Sequence, residues 1–143
     1  MTWFQAEQYC TWREARLPTE AEWEFACKAG TDTAYSFGND SEELSNHSWH
    51  LGNSRFKYQK VAQKSPTPLG LYDMHGNVFE WTADFYGSYE LNLVVNPVGS
   101  SNGASRVFRG GSLNNSNYFL GQLKDSISLN LTEVKLRGSV SLT

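Results

Sequence analysis

The chain has 143 residues, of which 39% are hydrophobic and 14% aromatic, a composition typical of one globular domain with a sizeable core. Its net charge of −3 and charged fraction of 19% argue against a nucleic-acid-binding surface, which needs clustered lysines and arginines. No apolar run reaches the roughly 18 residues of a membrane span, and the sequence opens without a basic and apolar leader. We therefore expect neither membrane insertion nor a signal peptide.

The first predicted helix begins behind Thr2, a residue type that caps helices. Trp3, Ala6 and Cys10 follow at spacings of three and four, so we expect them on its inward face. Cys10 and Cys27, the two cysteines, both lie in helical patterns beside aromatic residues. This setting favours buried, reduced thiols over a disulfide.

The second predicted helix has a clearer start. Thr19 and Glu22 have the spacing of a capping box. Trp23 and Ala26 then begin an apolar stripe that ends with the second cysteine, and Gly30 is the expected C-terminal cap.

Helical periodicity is lost after residue 30. Aromatic residues are scattered among glycine, asparagine, serine and proline with no run long enough for a helix, so loops and short strands are predicted. Residues 55–64 carry four basic side chains among polar and aromatic ones, which predicts a solvated loop or strand face.

Turns and strands are predicted further along the chain. Gly76 and Asn77 form a turn dipeptide, and residues 78–81 predict a strand that enters the core. Another turn is expected at residues 96–100. Residues 106–112 predict a strand that closes on a tight bend.

The composition changes after Ser112. Residues 113–143 contain no Trp, Cys, His, Met, Pro or Ala. Residues 126–132 partly alternate polar and apolar side chains, which predicts a strand or an extended ribbon with one buried face.

Four motifs carry a family resemblance: WFQAEQYC at residues 3–10, RLPTEAEWEFA at 16–26, GLYDMHGNVFEW at 70–81 and RGGS at 109–112. In this order they resemble the formylglycine-generating-enzyme (sulfatase-modifying factor) family. The resemblance implies an α+β, C-type-lectin-like fold, with two short helices packed on small antiparallel sheets and much irregular loop. We expect one domain over residues 1–143, with a scaffold at 1–112 and a variable, ligand-binding segment at 113–143.

The resemblance also implies what catalysis would require. In the family's enzymes a pair of cysteines just after the Gly-Gly-Ser segment binds copper(I) and activates oxygen, and soft thiolates suit that ion. Residues 113–121 contain no cysteine. We therefore predict no catalytic residue, no cofactor and no enzymatic activity. Glu22, Glu24 and Glu80 are interpreted as structural carboxylates bonded to backbone amides.

The candidate metal ligands are histidines and hard oxygen donors. His47, His50 and His75 do not form a tight triad by spacing, and the first two are interpreted as surface or turn residues. Calcium is bound by loop oxygens in parts of the family, and Asn39, Asp40 and Asn53 are the residues here that could supply them. No metal site is predicted.

The C-terminal segment resembles that of the variable proteins of diversity-generating retroelements, C-type-lectin-fold binders in which adenine-directed mutagenesis rewrites this part of the chain. Leu113 stands where the family commonly has Trp, although the frame length is kept. Aromatic residues in a setting of Asn, Ser and Gly are also a mixture that binding surfaces favour. The candidate ligand-binding residues are Asn114, Asn115, Ser116, Tyr118, Phe119, Lys124, Ser126, Ser128, Thr132, Val134 and Lys135.

The sequence thus predicts a non-catalytic binding protein with an unknown protein or surface ligand. A divergent oxidase or metal-dependent enzyme and a structural or assembly module remain as alternatives. The compartment is open, and display on a cell or virus surface through other components is compatible with the sequence.

Overall fold

The computed structural model describes residues 1–88, 95–116, 120 and, for the backbone, 127–130. Within this part the architecture is α+β, as predicted. The elements in chain order are α1 (Trp3–Trp12), α2 (Glu20–Lys28), a 3-10 turn (Ser41–Glu43), α3 (Leu44–His47), β1 (Glu80–Phe85), β2 (Ser105–Arg109) and β3 (Ile127–Asn130). None of the helices in the described ranges has the length and apolar character of a membrane span.

Both predicted helix starts are confirmed. The hydroxyl of Thr2 accepts from the Gln5 amide at 3.3 Å, and the Gln5 side chain accepts from the Thr2 amide at 2.9 Å, which completes a capping box. Thr19 and Glu22 make the same reciprocal pair at 3.2 and 2.8 Å. These bonds satisfy amides that the first helical turn leaves without partners.

The end of α2 differs by one residue from the prediction. The left-handed cap is Ala29, with φ of 51°, and its amide donates to the Phe25 carbonyl at 3.0 Å. Gly30 follows with φ of 85°, so the turn takes two left-handed residues in succession and begins before the glycine.

The three strands in the described part of the chain form an antiparallel sheet in the order β1–β2–β3. Trp81 pairs with Phe108, and the register shifts between Trp81 and Phe85. The prediction of a strand over residues 78–81 was wrong at its start, since β1 begins at Glu80. Asn77 has a left-handed φ of 63°, so residues 76–78 belong to the turn. The predicted strand at 106–109 is confirmed, and residues 127–130 of the predicted ribbon are a strand.

Over the described residues, the core consists of three apolar clusters. The first joins α1 to the sheet through Trp3, Ala6, Cys10, Leu17, Trp81 and Phe108. The second joins α2 to the turn before β1 through Trp23, Cys27 and Met74. The third contains Tyr35, Leu44 and Leu120. The expected inward face of α1 is thereby confirmed.

The expectation that no helix follows residue 30 was wrong. Asp40 accepts from the Glu42 amide at 2.9 Å and caps the 3-10 turn, which continues directly into α3. Leu44 is fully buried against the third cluster. Burial of this one side chain stabilises a helix that is too short to show periodicity.

Candidate binding surface

The chain leaves β2 through a turn that requires glycine. Gly110 and Gly111 have φ of 91° and 73°, a region that residues with a Cβ rarely adopt. A Cβ on Gly111 would overlap the Leu120 side chain, which is buried. The Gly-Gly pair thus lets Leu120 pack directly on the backbone at the start of the predicted binding segment.

Hydrogen bonds hold residues 112–115, which follow the glycine pair, in place. The Asn115 side-chain oxygen accepts from the Ser112 amide at 2.7 Å and from its hydroxyl at 2.9 Å. Leu113 is buried, and its amide donates to the Asn77 carbonyl at 2.9 Å. The start of the segment therefore has a backbone position set by the scaffold.

Asn77 is one of the residues that connect this segment to the loops beside it. Its amide donates to the Trp49 carbonyl at 2.8 Å. Its side chain accepts from the Gln59 amide at 3.1 Å and donates to the Gln59 carbonyl at 3.2 Å. Asn77 is itself buried, so these bonds form away from water, where an unpaired polar group is costly. The sequence identified the turn here but not this role.

The predicted binding residues fall into two groups. Asn114 and Ser116 are exposed, Asn115 is half-buried with its side-chain oxygen engaged, and Ser128 lies in β3 opposite Val107. The others lie outside the described residues: Tyr118, Phe119, Lys124, Ser126, Thr132, Val134 and Lys135.

A buried ion pair links α2 to β2, and sequence reasoning missed it. Arg109 is bonded to Glu20 at 2.7 Å and lies 3.4 Å from a Glu24 oxygen. Both Arg109 and Glu20 are buried, so removal of either partner would leave a charge away from water. The signal in the sequence was an arginine directly before Gly-Gly, together with carboxylates on α2.

Two of the three carboxylates that were interpreted as bonded to backbone amides have side-chain partners instead. Glu22 bonds a backbone amide as predicted, and the Arg16 guanidinium holds the pKa of Glu22 down to about 2. Glu24 instead pairs with Lys28 at 2.8 Å. Glu80 accepts from the Trp23 indole at 2.5 Å, and burial, with Asp73 nearby, raises the pKa of Glu80 to about 7.

His50 begins a turn, as interpreted, since its carbonyl accepts from the Asn53 amide at 3.1 Å, but it is only 4% exposed and so does not lie on the surface. Its Nδ1 accepts from the Gly52 amide at 3.1 Å. His47 is half-buried and stacks on Phe37, with ring centroids 4.2 Å apart.

His75 is buried and bonded within the core. Its Nε2 lies 3.0 Å from the Ser36 hydroxyl and 4.0 Å from Cys27 Sγ. Burial, with a smaller contribution from His47, lowers the pKa of His75 to about 4. The ring is therefore neutral at physiological pH and acts as a packing and hydrogen-bonding group.

The two thiols do not fit the copper(I) pair of the resembled enzymes. Cys10 and Cys27 are 2% and 0% exposed and belong to different core clusters. Burial raises the pKa of both thiols, which disfavours the thiolate that binds copper. The prediction that they are buried and reduced is confirmed.

The three candidate calcium ligands make hydrogen bonds within their own loops. Asn39 accepts from the Ala34 amide and Asn53 from the His50 amide, each at 2.8 Å, while Asp40 caps the 3-10 turn. Over the described ranges, no three side chains of the types His, Cys, Asp and Glu are grouped to hold a metal ion.

A groove of about 840 Å³ runs between the two N-terminal helices and the loop after residue 94. Its apolar wall includes Trp3, Phe25 and Val98, and Arg16 and Glu22 contribute charge. No residue of 113–116 lines it. The groove is therefore separate from the described start of the predicted binding segment, and the sequence did not indicate it.

Comparison with known proteins places this geometry in a family. The sulfatase-modifying factor enzyme 1-like domain matches residues 1–127. The formylglycine-generating enzyme of Mus musculus is 33% identical over 125 residues, which are 78% of this chain and 34% of that protein. The inactive C-alpha-formylglycine-generating enzyme 2 of Bos taurus is 34% identical over 105 residues, covering 66% of this chain and 35% of that protein.

A solved structure is similar as well. Treponema denticola variable protein 1 superimposes with a TM-score of 0.74 at 38% identity, over 80% of this chain and 42% of that one. The chain spans about a third of the length of the two curated relatives. It belongs to the sulfatase-modifying factor (formylglycine-generating enzyme) family and has a C-type-lectin-like fold.

Proposed function

We propose that this chain is a non-catalytic binding protein of the diversity-generating-retroelement type. Its C-terminal segment carries the ligand contacts, and the C-type-lectin scaffold is constant. The main support for this proposal is the structure at the start of the segment. The backbone of Leu113 and Asn115 is bonded to the scaffold, while the side chains of Asn114 and Ser116 are exposed. Exposed side chains on a fixed backbone can be replaced at little cost in stability.

The pairing of β3 supports the same proposal. Four residue pairs, from Ser105 with Asn130 to Phe108 with Ile127, join β3 to β2. Such pairing uses main-chain hydrogen bonds, which do not depend on the identity of the side chains. A segment anchored in this way keeps its course when its sequence changes. The likeness to Treponema denticola variable protein 1 is further support.

The DNA beside the gene tests this class directly. We expect a near-copy of the codons for residues 113–143, differing mainly at adenines, close to a reverse-transcriptase gene. A complete genome with neither feature would contradict the proposal.

A divergent oxidase is the second candidate, because the chain is 33% identical to a formylglycine-generating enzyme. The buried, separated thiols speak against it. Copper(I) titration with equilibrium dialysis distinguishes the two. We expect no stoichiometric copper on the purified chain, and one tightly held ion per chain would favour the oxidase.

A further inference from the structure

The loop of residues 54–59, called here the 54–59 loop, has a fixed backbone. Ser54 is fully buried, and its hydroxyl donates to the Leu113 carbonyl at 3.2 Å. The other end is held where Gln59 exchanges two bonds with Asn77. The Gln59 side chain also donates to the Ser54 carbonyl at 2.9 Å and so joins the two ends. The loop is therefore preorganised rather than loosely attached.

The four side chains between these ends are all exposed: Arg55, Phe56, Lys57 and Tyr58. Phe56 is 73% exposed and Tyr58 is 53% exposed. Arg55 and Phe56 both have φ of 56°, a left-handed conformation that costs roughly 1–2 kcal/mol per residue with a Cβ. Strain that holds an aromatic ring out in water contributes nothing to folding, and such strain is concentrated at functional sites.

The loop lies in the most basic part of the chain. Residues 44–72 contain four lysines and arginines and no carboxylate, although the whole chain has a net charge of −3. Arg55, Lys57 and Lys60 are exposed. Lys64 is engaged within the fold, where it lies 4.0 Å from the Trp49 ring centroid and donates to the Ser45 carbonyl. A surface of arginine, phenylalanine and tyrosine has the composition of energetically dominant interface residues.

The 54–59 loop directly borders the predicted binding segment. Besides the Ser54 bond to Leu113, the Leu51 amide donates to the Asn115 carbonyl at 3.1 Å. One surface thus presents the loop side chains next to Asn114 and Ser116. We infer that the 54–59 loop is a constant contact that adjoins the variable segment, and that its partner is a protein surface combining carboxylates with an apolar pocket. This inference rests on the proposed function.

A protein partner fits better than a nucleic acid. Phosphate binding needs several clustered cations, and here three are exposed on a chain of net negative charge. The two exposed rings instead offer apolar area that a protein pocket can bury. The positive charge then favours a partner with an acidic surface, because complementary charge raises the association rate and rejects basic competitors.

Selection from display libraries of the full chain tests the inference. Each library is randomised at residues 114, 116, 118 and 119, with calmodulin as an acidic probe and lysozyme as a basic one. One library keeps the native loop, a second carries Phe56→Asn with Tyr58→Ser, and a third carries Arg55→Glu with Lys57→Glu. Asparagine tolerates the left-handed conformation at position 56, so the second library keeps the loop backbone.

The control library carries Val61→Ser with Leu69→Ser. These two exposed apolar residues lie in the same basic region but outside the 54–59 loop. Thermal unfolding of individual clones from each library checks that the displayed proteins are folded.

We expect the native and control libraries to yield calmodulin binders at similar frequency. Loss of the two loop rings should reduce that yield about tenfold or more, as removal of a dominant contact does. The Glu variants should lose calmodulin binders and gain lysozyme binders.

Equal yields from all loops would overturn the inference and leave the proposed function intact. No binder from any library would overturn both. Tight, salt-dependent binding of a short single-stranded oligonucleotide to the native chain would also overturn the inference of a protein partner.

Discussion

Gly76 shows how one residue without a side chain allows the core turn to close. A Cβ at this position would overlap the Trp49 carbonyl and the Ser48 hydroxyl. The next residue, Asn77, bonds that same Trp49 carbonyl through its amide. The close approach at Gly76 therefore determines where Asn77, and with it the start of the proposed binding segment, is held.

Gly76→Ala is expected to lower the free energy of unfolding by about 3 kcal/mol, because the new methyl group meets backbone that cannot move aside. Gly70→Ala is the matched control. Its Cβ would meet nothing, so only the left-handed backbone is strained, at about 1–2 kcal/mol. Urea unfolding of both variants measures the difference, and equal losses would show that the overlap is relieved easily.

Glu80 makes stability depend on pH in a predictable direction. Its folded pKa of about 7 lies above the ordinary value of 4.5, so the folded state binds the proton more tightly. The stability from this proton is present below pH 4.5 and is lost as the pH rises through 7. Glu80→Gln should therefore gain stability relative to the native chain over that window, as measured by urea unfolding at several pH values. A constant difference would contradict the shift.

His75 should act in the opposite sense. Its folded pKa of about 4 lies below 6.5, so the unfolded chain binds the proton more readily. The contribution of the neutral ring to the free energy of unfolding is fully present above pH 6.5. It falls by about 3 kcal/mol as the pH drops to 4. His75→Gln should lose less stability than the native chain across this range in the same unfolding series. Parallel curves would mean that the ring titrates normally.

At the scale of elements, the capping box of α2 fixes the helix that supports β1 and β2. Thr19→Ala removes the hydroxyl that accepts from the Glu22 amide and should cost about 1 kcal/mol. Thr11→Ala, at an exposed position within α1, is the control and should change stability by less than about 0.5 kcal/mol. Guanidinium unfolding compares them, and equal effects would show that the cap contributes nothing.

The elements that the sequence predicted well are those with local signals. Thr2 and Thr19 have their capping partners three residues away, and β2 ends at a glycine pair. The start of β1 was misplaced because the turn that delays it depends on the bond of Asn77 to Trp49, which lies in a distant loop. Helix α3 was missed because burial of Leu44, rather than periodicity, stabilises it.

The proposed binding surface was predictable only in part, for a similar reason. Composition distinguished residues 113–143 from the rest of the chain, and within them Asn114 and Ser116 are exposed. The side chain of Asn115 looked equivalent to that of Asn114, yet it closes the turn at Ser112. The proposed contribution of the 54–59 loop depends on tertiary contacts that no local pattern encodes.

At the scale of the whole molecule, buried links join the helices, the sheet and the segment. The pair of Arg109 with Glu20 connects α2 to β2, and β2 pairs in turn with β1 and β3. Leu120 returns the chain to the core beside Tyr35 and Leu44. A scaffold joined in this way has few degrees of freedom left, so it can tolerate varied side chains at exposed positions between its anchors.

The most direct test of this account is the thermal unfolding of two variants of the segment, compared with the native chain. In the first, Tyr118, Phe119 and Lys124 are all replaced by alanine; in the second, the buried Leu120 is replaced. We predict that the triple variant unfolds within about 2 °C of the native chain, whereas Leu120→Ala lowers Tm by on the order of 10 °C. A triple variant that loses as much as Leu120→Ala would place its three side chains in the core and contradict a replaceable binding surface.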